Sequence, residues 1–138
     1  MDKTTFRPLI RTQADLEGMW RRLMTPLGFS SRSLWIALIE DERPLPQLTE
    51  LCDLPESPDD DTTEALGRLL ENLATPQFSL AFLQTRPGIG RPDVHDLAWA
   101  RSLYAVGNRA RLRLETIHLA HDDDVVPMPM DDVLDETA

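Results

Sequence analysis

The stretch RLETIHLAH, residues 113–121, constrains the fold more than any other part of the chain. It sets Leu114, Thr116, His118 and Ala120 against Arg113, Glu115, Ile117 and Leu119, so both alternating sets contain apolar residues. Period two belongs to a strand, and a strand with apolar residues on both faces sits inside a sheet that is covered on both. The remaining segments must supply both the neighbouring strands and the cover.

Helical spacing supplies the cover. RTQADLEGMWRRLMTPLG puts Leu16, Met19, Trp20 and Leu23 on one face, with Thr12 three residues before Asp15 as an N-cap, and predicts a helix over 12–26. TTEALGRLLENLA carries Leu66, Leu69, Leu70 and Leu73 on one face, and Asp93 caps a third helix with Leu97, Ala100, Leu103 and Tyr104 at apolar intervals. The neighbouring strands are SLWIALIE at 33–40, expected to be central, a weaker alternation at 45–51 and QFSLAFL. Pro46 suits an edge or a strand start, and VVPM at 125–128 reads as a short return strand that Pro127 confines to an edge. DLPESPDDDTT at 53–63 reads as an exposed connection, and the acidic residues 131–138 as a tail. The order helix, strand, strand, helix, strand, helix, strand, strand predicts an α/β fold, a single-domain mixed β-sheet flanked by helices, over residues 1–130.

A chain of 138 residues suits one domain. A net charge of -10, from 24 acidic and 14 basic residues, argues against a broad nucleic-acid or anionic-membrane footprint. The lone Cys52 can form no internal disulfide, and no leader-like or membrane-spanning run is expected, which points to a cytoplasmic setting.

FLQTRPGIGRPDVHD, residues 82–96, leaves an apolar strand, turns through Gly88 and Gly90 and enters a helix at Asp93. With ALGRLLENLATPQFSLAFL before it and ETIHLAHDDDVVPM after the helix, this text resembles the RadC-like branch of the JAB/MPN (JAMM) metalloprotein family. SLWIALIEDERPLPQLTEL is similar to the opening hairpin of that family, so the likeness spans residues 33–128. It implies a JAB/MPN, cytidine deaminase-like architecture, with a strand ending in His-x-His-Pro and Pro-Ser-x-x-Asp opening the next helix. Gln84 and Arg86 stand where the likeness places two histidine ligands, and Asp93 stands for the serine. Pro87, Pro92, Asp96 and His118 keep the family's residue types. A guanidinium cannot ligate zinc at neutral pH, so a degenerate centre is expected at Gln84, Arg86, Asp93 and Asp96, with no metal and no cofactor. Asp96 is expected to pair with Arg86 or Arg91.

Each candidate has a plainer reading. Asp96 is open to two: a first-turn carboxylate stabilised by the helix dipole, or a residue of a site in which Asp96 or His118 acts as acid or base. Arg86 and Arg91 flank a glycine turn beside a helix start and are candidates for anion binding. His95, His118 and His121 could ligate a metal, but 118 and 121 point to opposite faces of a strand. Asp122, Asp123 and Asp124 lack the alternate spacing and glycine of a calcium loop. Cys52 and Ser79 lack an activating neighbour or elbow, and Trp20, Trp35 and Trp99 read as core. Met128 and Met130 could cover a partner surface or close the core. The expected function is a non-catalytic JAB-like domain that binds a protein partner or a second copy of itself, through a sheet edge, the acidic tail or the former active-site groove. The alternative is a small-molecule or anion-binding domain, or a divergent hydrolase, in the same cleft.

Overall fold

The computed structural model describes residues 8–73, 75 and 77–135. In chain order these form α1 (Gln13–Met24), β1 (Ser33–Glu40), β2 (Arg43–Leu51), α2 (Asp60–Leu73), β3 (Ser79–Thr85), α3 (Val94–Arg109), β4 (Arg113–Leu114), β5 (Ile117–Ala120), β6 (Val125–Met128) and α4 (Met130–Asp135). The strands make one mixed sheet in the order β2-β1-β3-β5-β6, with β4 beside the start of β3. Pairing is antiparallel for β1 with β2 and β3, parallel for β3 with β4 and β5, and antiparallel for β5 with β6. Both proline-bearing strands, β2 and β6, lie at the edges, where a missing N–H costs no ladder bond.

Period two divides the core in two. Leu34, Ile36, Leu80, Phe82, Ile117 and Leu119 face a cluster that α2, α3 and α4 complete through Leu66, Leu70, Leu103 and Val133. Ala37, Ile39, Ala81, Leu83, Ala120 and Val125 face the opposite way, onto Leu16, Met19 and Trp20 of α1. The mixed sheet covered by helices is therefore the α/β arrangement that periodicity predicts. Thr12 and Asp15 cap α1 reciprocally. Arg21 fastens the same helix to the β6 edge, donating from one terminal amine to the Val125 carbonyl at 2.8 Å and pairing through the other with Asp124 at 2.7 Å.

Two expectations change. The strand expected at 113–121 is broken into β4 and β5, because the Ile117 N–H donates to the Tyr104 hydroxyl and the Thr116 carbonyl accepts from His118. Tyr104 in turn donates to the Met128 carbonyl at 2.8 Å, tying α3 to the edge strand. The acidic segment after residue 130 is not wholly a tail: α4 forms there and Val133 is fully buried, since one apolar side chain is enough to anchor a turn against the core. Residues 136–138 and the side chain of Leu73 lie outside the described set.

Gly107 shows how closely α3 approaches β4. A Cβ there would stand 2.8 Å from Leu114 Cγ and would also collide with its Cδ1. Gly107→Ala gains about 1 kcal/mol of helix propensity, yet overpacking costs up to about 3 kcal/mol. We expect a net loss on the order of 1–2 kcal/mol in urea unfolding. A variant as stable as the natural chain would mean that Leu114 is free to move aside.

Candidate functional site

The end of β3, the turn that follows it and the start of α3 build the site. Asp93 caps α3, accepting from the N–H groups of His95 and Asp96, while Asp96 reaches back to the Asp93 N–H at 2.8 Å. This capping box turns the Asp96 carboxylate away from water and toward the end of β3. Asp96 is 0% exposed, and its charge is met by two guanidinium groups. Arg86 Nε donates to both carboxylate oxygens at 3.0 and 2.9 Å, and an Arg32 terminal amine donates to Oδ1 at 2.8 Å. Gln84 closes the ring: its amide N–H donates to the Asp96 carbonyl at 3.2 Å, and its Oε1 accepts from Arg32 at 3.4 Å.

The remaining donors of Arg86 hold the turn itself. One terminal amine donates to the Pro87 carbonyl at 3.2 Å and the other to the Arg91 carbonyl at 3.3 Å. From outside, Asp122 accepts from the Gly88 and Phe29 N–H groups, and its own N–H donates to the Gly88 carbonyl. Those two backbone donors hold the Asp122 carboxyl below its ordinary range. Asp93, whose Oδ2 lies 4.0 Å from Arg86 Nε, is also shifted down. Partial burial acts against that shift and is outweighed by the Asp96 N–H and the Arg86 charge. Two largely buried cations thus surround one fully buried carboxylate, and the half-exposed Asp93 at the edge of the pocket offsets part of the remaining charge.

Gln84, Arg86, Asp93 and Asp96 converge, as their spacing around the loop allows. Arg32 is the member that sequence reasoning misses. It lies 64 positions from Asp96, and it reaches the site through the Ser33–Thr85 pairing of β1 with β3. No local pattern marks it, and only the strand register brings it in.

Other candidates fall elsewhere. His118 does not join Asp96. It pairs across the sheet with Leu83, on the α1 face, while Gln84 pairs with Leu119 on the other. Strand alternation therefore puts His118 on the opposite side of the sheet from the Gln84 and Asp96 cluster. Arg91 contributes its carbonyl rather than its guanidinium to the contacts of Arg86, and Arg86 is consumed by Asp96 and backbone carbonyls. The expected anion clamp is therefore corrected: the anion at this helix start is the chain's own carboxylate. His95 contacts Ser57 and Glu56 at the surface, and His121 accepts from the Asp123 N–H, so the three histidines use different partners. Asp122 and Asp124 likewise diverge, toward Gly88 and Arg21. Among the described residues no group of three or more His, Cys, Asp or Glu could hold a metal ion. The site residues themselves do not fit zinc, because Arg86 and Arg32 place positive charge on the one carboxylate available. Cys52 is exposed, and the adjacent Glu50 raises its thiol pKa, which is the reverse of activation. Ser79 is buried inside β3. Trp20 and Trp99 are buried, and the Trp99 N–H donates to the Pro55 and Glu56 carbonyls.

His118 has a structural role with a measurable signature. In the tautomer that these contacts imply, Nδ1–H donates to the Thr116 carbonyl and Nε2 accepts from the Gln13 amide at 3.0 Å, joining β5 to α1. Burial shifts its pKa below the ordinary 6.5. The unfolded chain therefore takes up a proton near 6.5 that the folded chain refuses, and stability falls as pH drops below that value. Asp93 and Asp122 add their own loss only at lower pH, below the ordinary 3.8. We expect urea midpoints to decline from about pH 7 to about pH 5, and His118→Gln to flatten the decline. An unchanged slope in that variant would place the titrating group elsewhere.

No family model, curated protein or solved structure matches the chain. Among the described residues no helix is long and apolar enough to cross a membrane.

Proposed function

We propose that this chain is a RadC-like JAB/MPN domain whose metal centre has been replaced by a buried ion-pair network, and that it acts as a protein-interaction module rather than a catalyst. One observation carries the reading: Arg86, at a position the resemblance assigns to a histidine ligand, spends its Nε–H on both oxygens of Asp96. A carboxylate held this way by two guanidinium groups has no lone pair directed at a solvent-accessible cation. The element order and the mixed sheet are consistent with the family likeness, and the lone Cys52 supports a cytoplasmic setting. The acidic balance supports a protein partner over nucleic acid or an anionic membrane.

The test is metal content by elemental analysis of tag-free protein, beside a variant carrying Arg32→Ala, Gln84→His and Arg86→His. Arg32 is included because it would stay on Asp96 and repel a cation. We expect the natural protein to be metal-free and the triple variant to take up zinc. Stoichiometric zinc in the natural protein would overturn the replaced-centre reading. A folded triple variant with no zinc would remove the support from the family likeness.

A further inference from the structure

Ile89 is 73% exposed at the tip of the β3–α3 turn, between Gly88 and Gly90 at φ 94° and 101°. Those positive φ values suit glycine and turn the tip sharply on either side of the isoleucine. The turn is held from within by Arg86, through the Pro87 and Arg91 carbonyls, and from outside by Asp122. Nothing in that clamp buries Ile89, so a bulky apolar side chain stands in water on a hydrogen-bonded turn. Val94, 68% exposed at the first turn of α3, is a second exposed apolar side chain, and the exposed Arg91 lies between the two in sequence.

The same molecule carries an apolar cavity of about 410 Å³, which opens between β2 and α2, walled by Leu34, Leu51, Leu54, Leu66, Leu69 and Trp99, with Glu50 at its rim. Segment 52–57 separates it from the turn: Cys52 and Leu54 line the cavity, and Ser57 and Glu56 contact His95 at the start of α3.

We propose that the β3–α3 turn is a docking finger that seats Ile89 in the apolar cavity of a second copy of this chain. The proposal deepens the interaction-module reading and rests on it. Finger and cavity complement each other in charge as well as polarity: Arg91 accompanies Ile89, and Glu50 borders the cavity. An Arg91–Glu50 contact sets a cation against a carboxylate where copies of net charge -10 otherwise repel one another. Because finger and cavity flank one segment, a twofold axis lets each copy donate one finger and accept the other. The internal clamp lowers the ordering cost of docking, and this gives the buried ion-pair network a role in binding rather than chemistry.

Sedimentation equilibrium of the full chain tests this, with Ile89→Asp to disable the finger and Ala65→Arg to obstruct the cavity. Ala65 is an exposed residue at the cavity, so the second variant adds bulk and a cation facing Arg91 without entering the core. The natural chain is expected to dimerise, and each variant to weaken the dimer on the order of a hundredfold, because both insertions are lost. Mixed together, the two variants retain one intact finger and one intact cavity, and are expected to pair more tightly than either does alone. Circular dichroism melts equal to those of the natural chain establish that the variants are folded. A monomeric natural chain overturns the proposal, as does a dimer that Ile89→Asp leaves unchanged. Neither result touches the replaced-centre reading, which stands or falls on its metal content.

Discussion

Asp96→Ala is expected to destabilise the protein by about 3–5 kcal/mol, the cost of leaving buried charge without its partner. Arg86 and Arg32, with side chains only 8% and 9% exposed, would be left facing each other across the space the carboxylate filled. Asp93, 4.0 Å from Arg86, offsets part of that repulsion. The Asp93 N–H also loses its acceptor, so the start of α3 frays with the turn. A further variant, with Arg32→Met, Arg86→Met and Asp96→Leu together, removes the three buried charges at once, leaves only the half-exposed Asp93, and should recover most of the loss, since buried ion pairs are often replaceable by apolar residues. Urea unfolding of both variants at neutral pH provides the comparison. A loss below about 1 kcal/mol for Asp96→Ala would mean that water enters the pocket and screens the pairs.

Trp20→Ala should cost a similar amount, about 3–5 kcal/mol, for a different reason. Trp20 is 0% exposed in the middle of α1 and is the largest side chain that this helix sets against the sheet. Removing it leaves a cavity between helix and sheet that the remaining contacts of Leu16, Met19 and Met24 cannot close. Its indole N–H has no hydrogen-bond partner among the described residues. Trp20→Phe sheds that unpaired donor along with some volume and should therefore cost far less, about 1 kcal/mol. At about 3 °C of melting temperature per kcal/mol for a domain of this size, the two variants separate by several degrees. If Trp20→Ala cost no more than about 1 kcal/mol, α1 would have to be a loosely attached appendage rather than one layer of the core.

The sequence by itself determined whatever depends on neighbours within a few positions. Thr12 with Asp15 and Asp93 with Asp96 are spaced for capping boxes, and the structure has them, because a cap needs only its own first turn. Apolar residues on both faces of 117–120 predict a covered strand, because side chains alternate whatever the neighbours are. Pro46 and Pro127 placed their strands at edges for want of an N–H. Tertiary structure decided the rest. The break between β4 and β5 depends on where the Tyr104 hydroxyl arrives, and α4 depends on a pocket for Val133 that exists only once α3 is packed. Arg32 belongs to the site, and His118 does not, because of strand register: slipping one residue moves a side chain to the other face of the sheet. Whether Asp96 is a solvated first-turn carboxylate or the centre of an ion-pair network was open in the sequence for the same reason. Both readings have identical local text, and the difference lies in a guanidinium delivered from another strand.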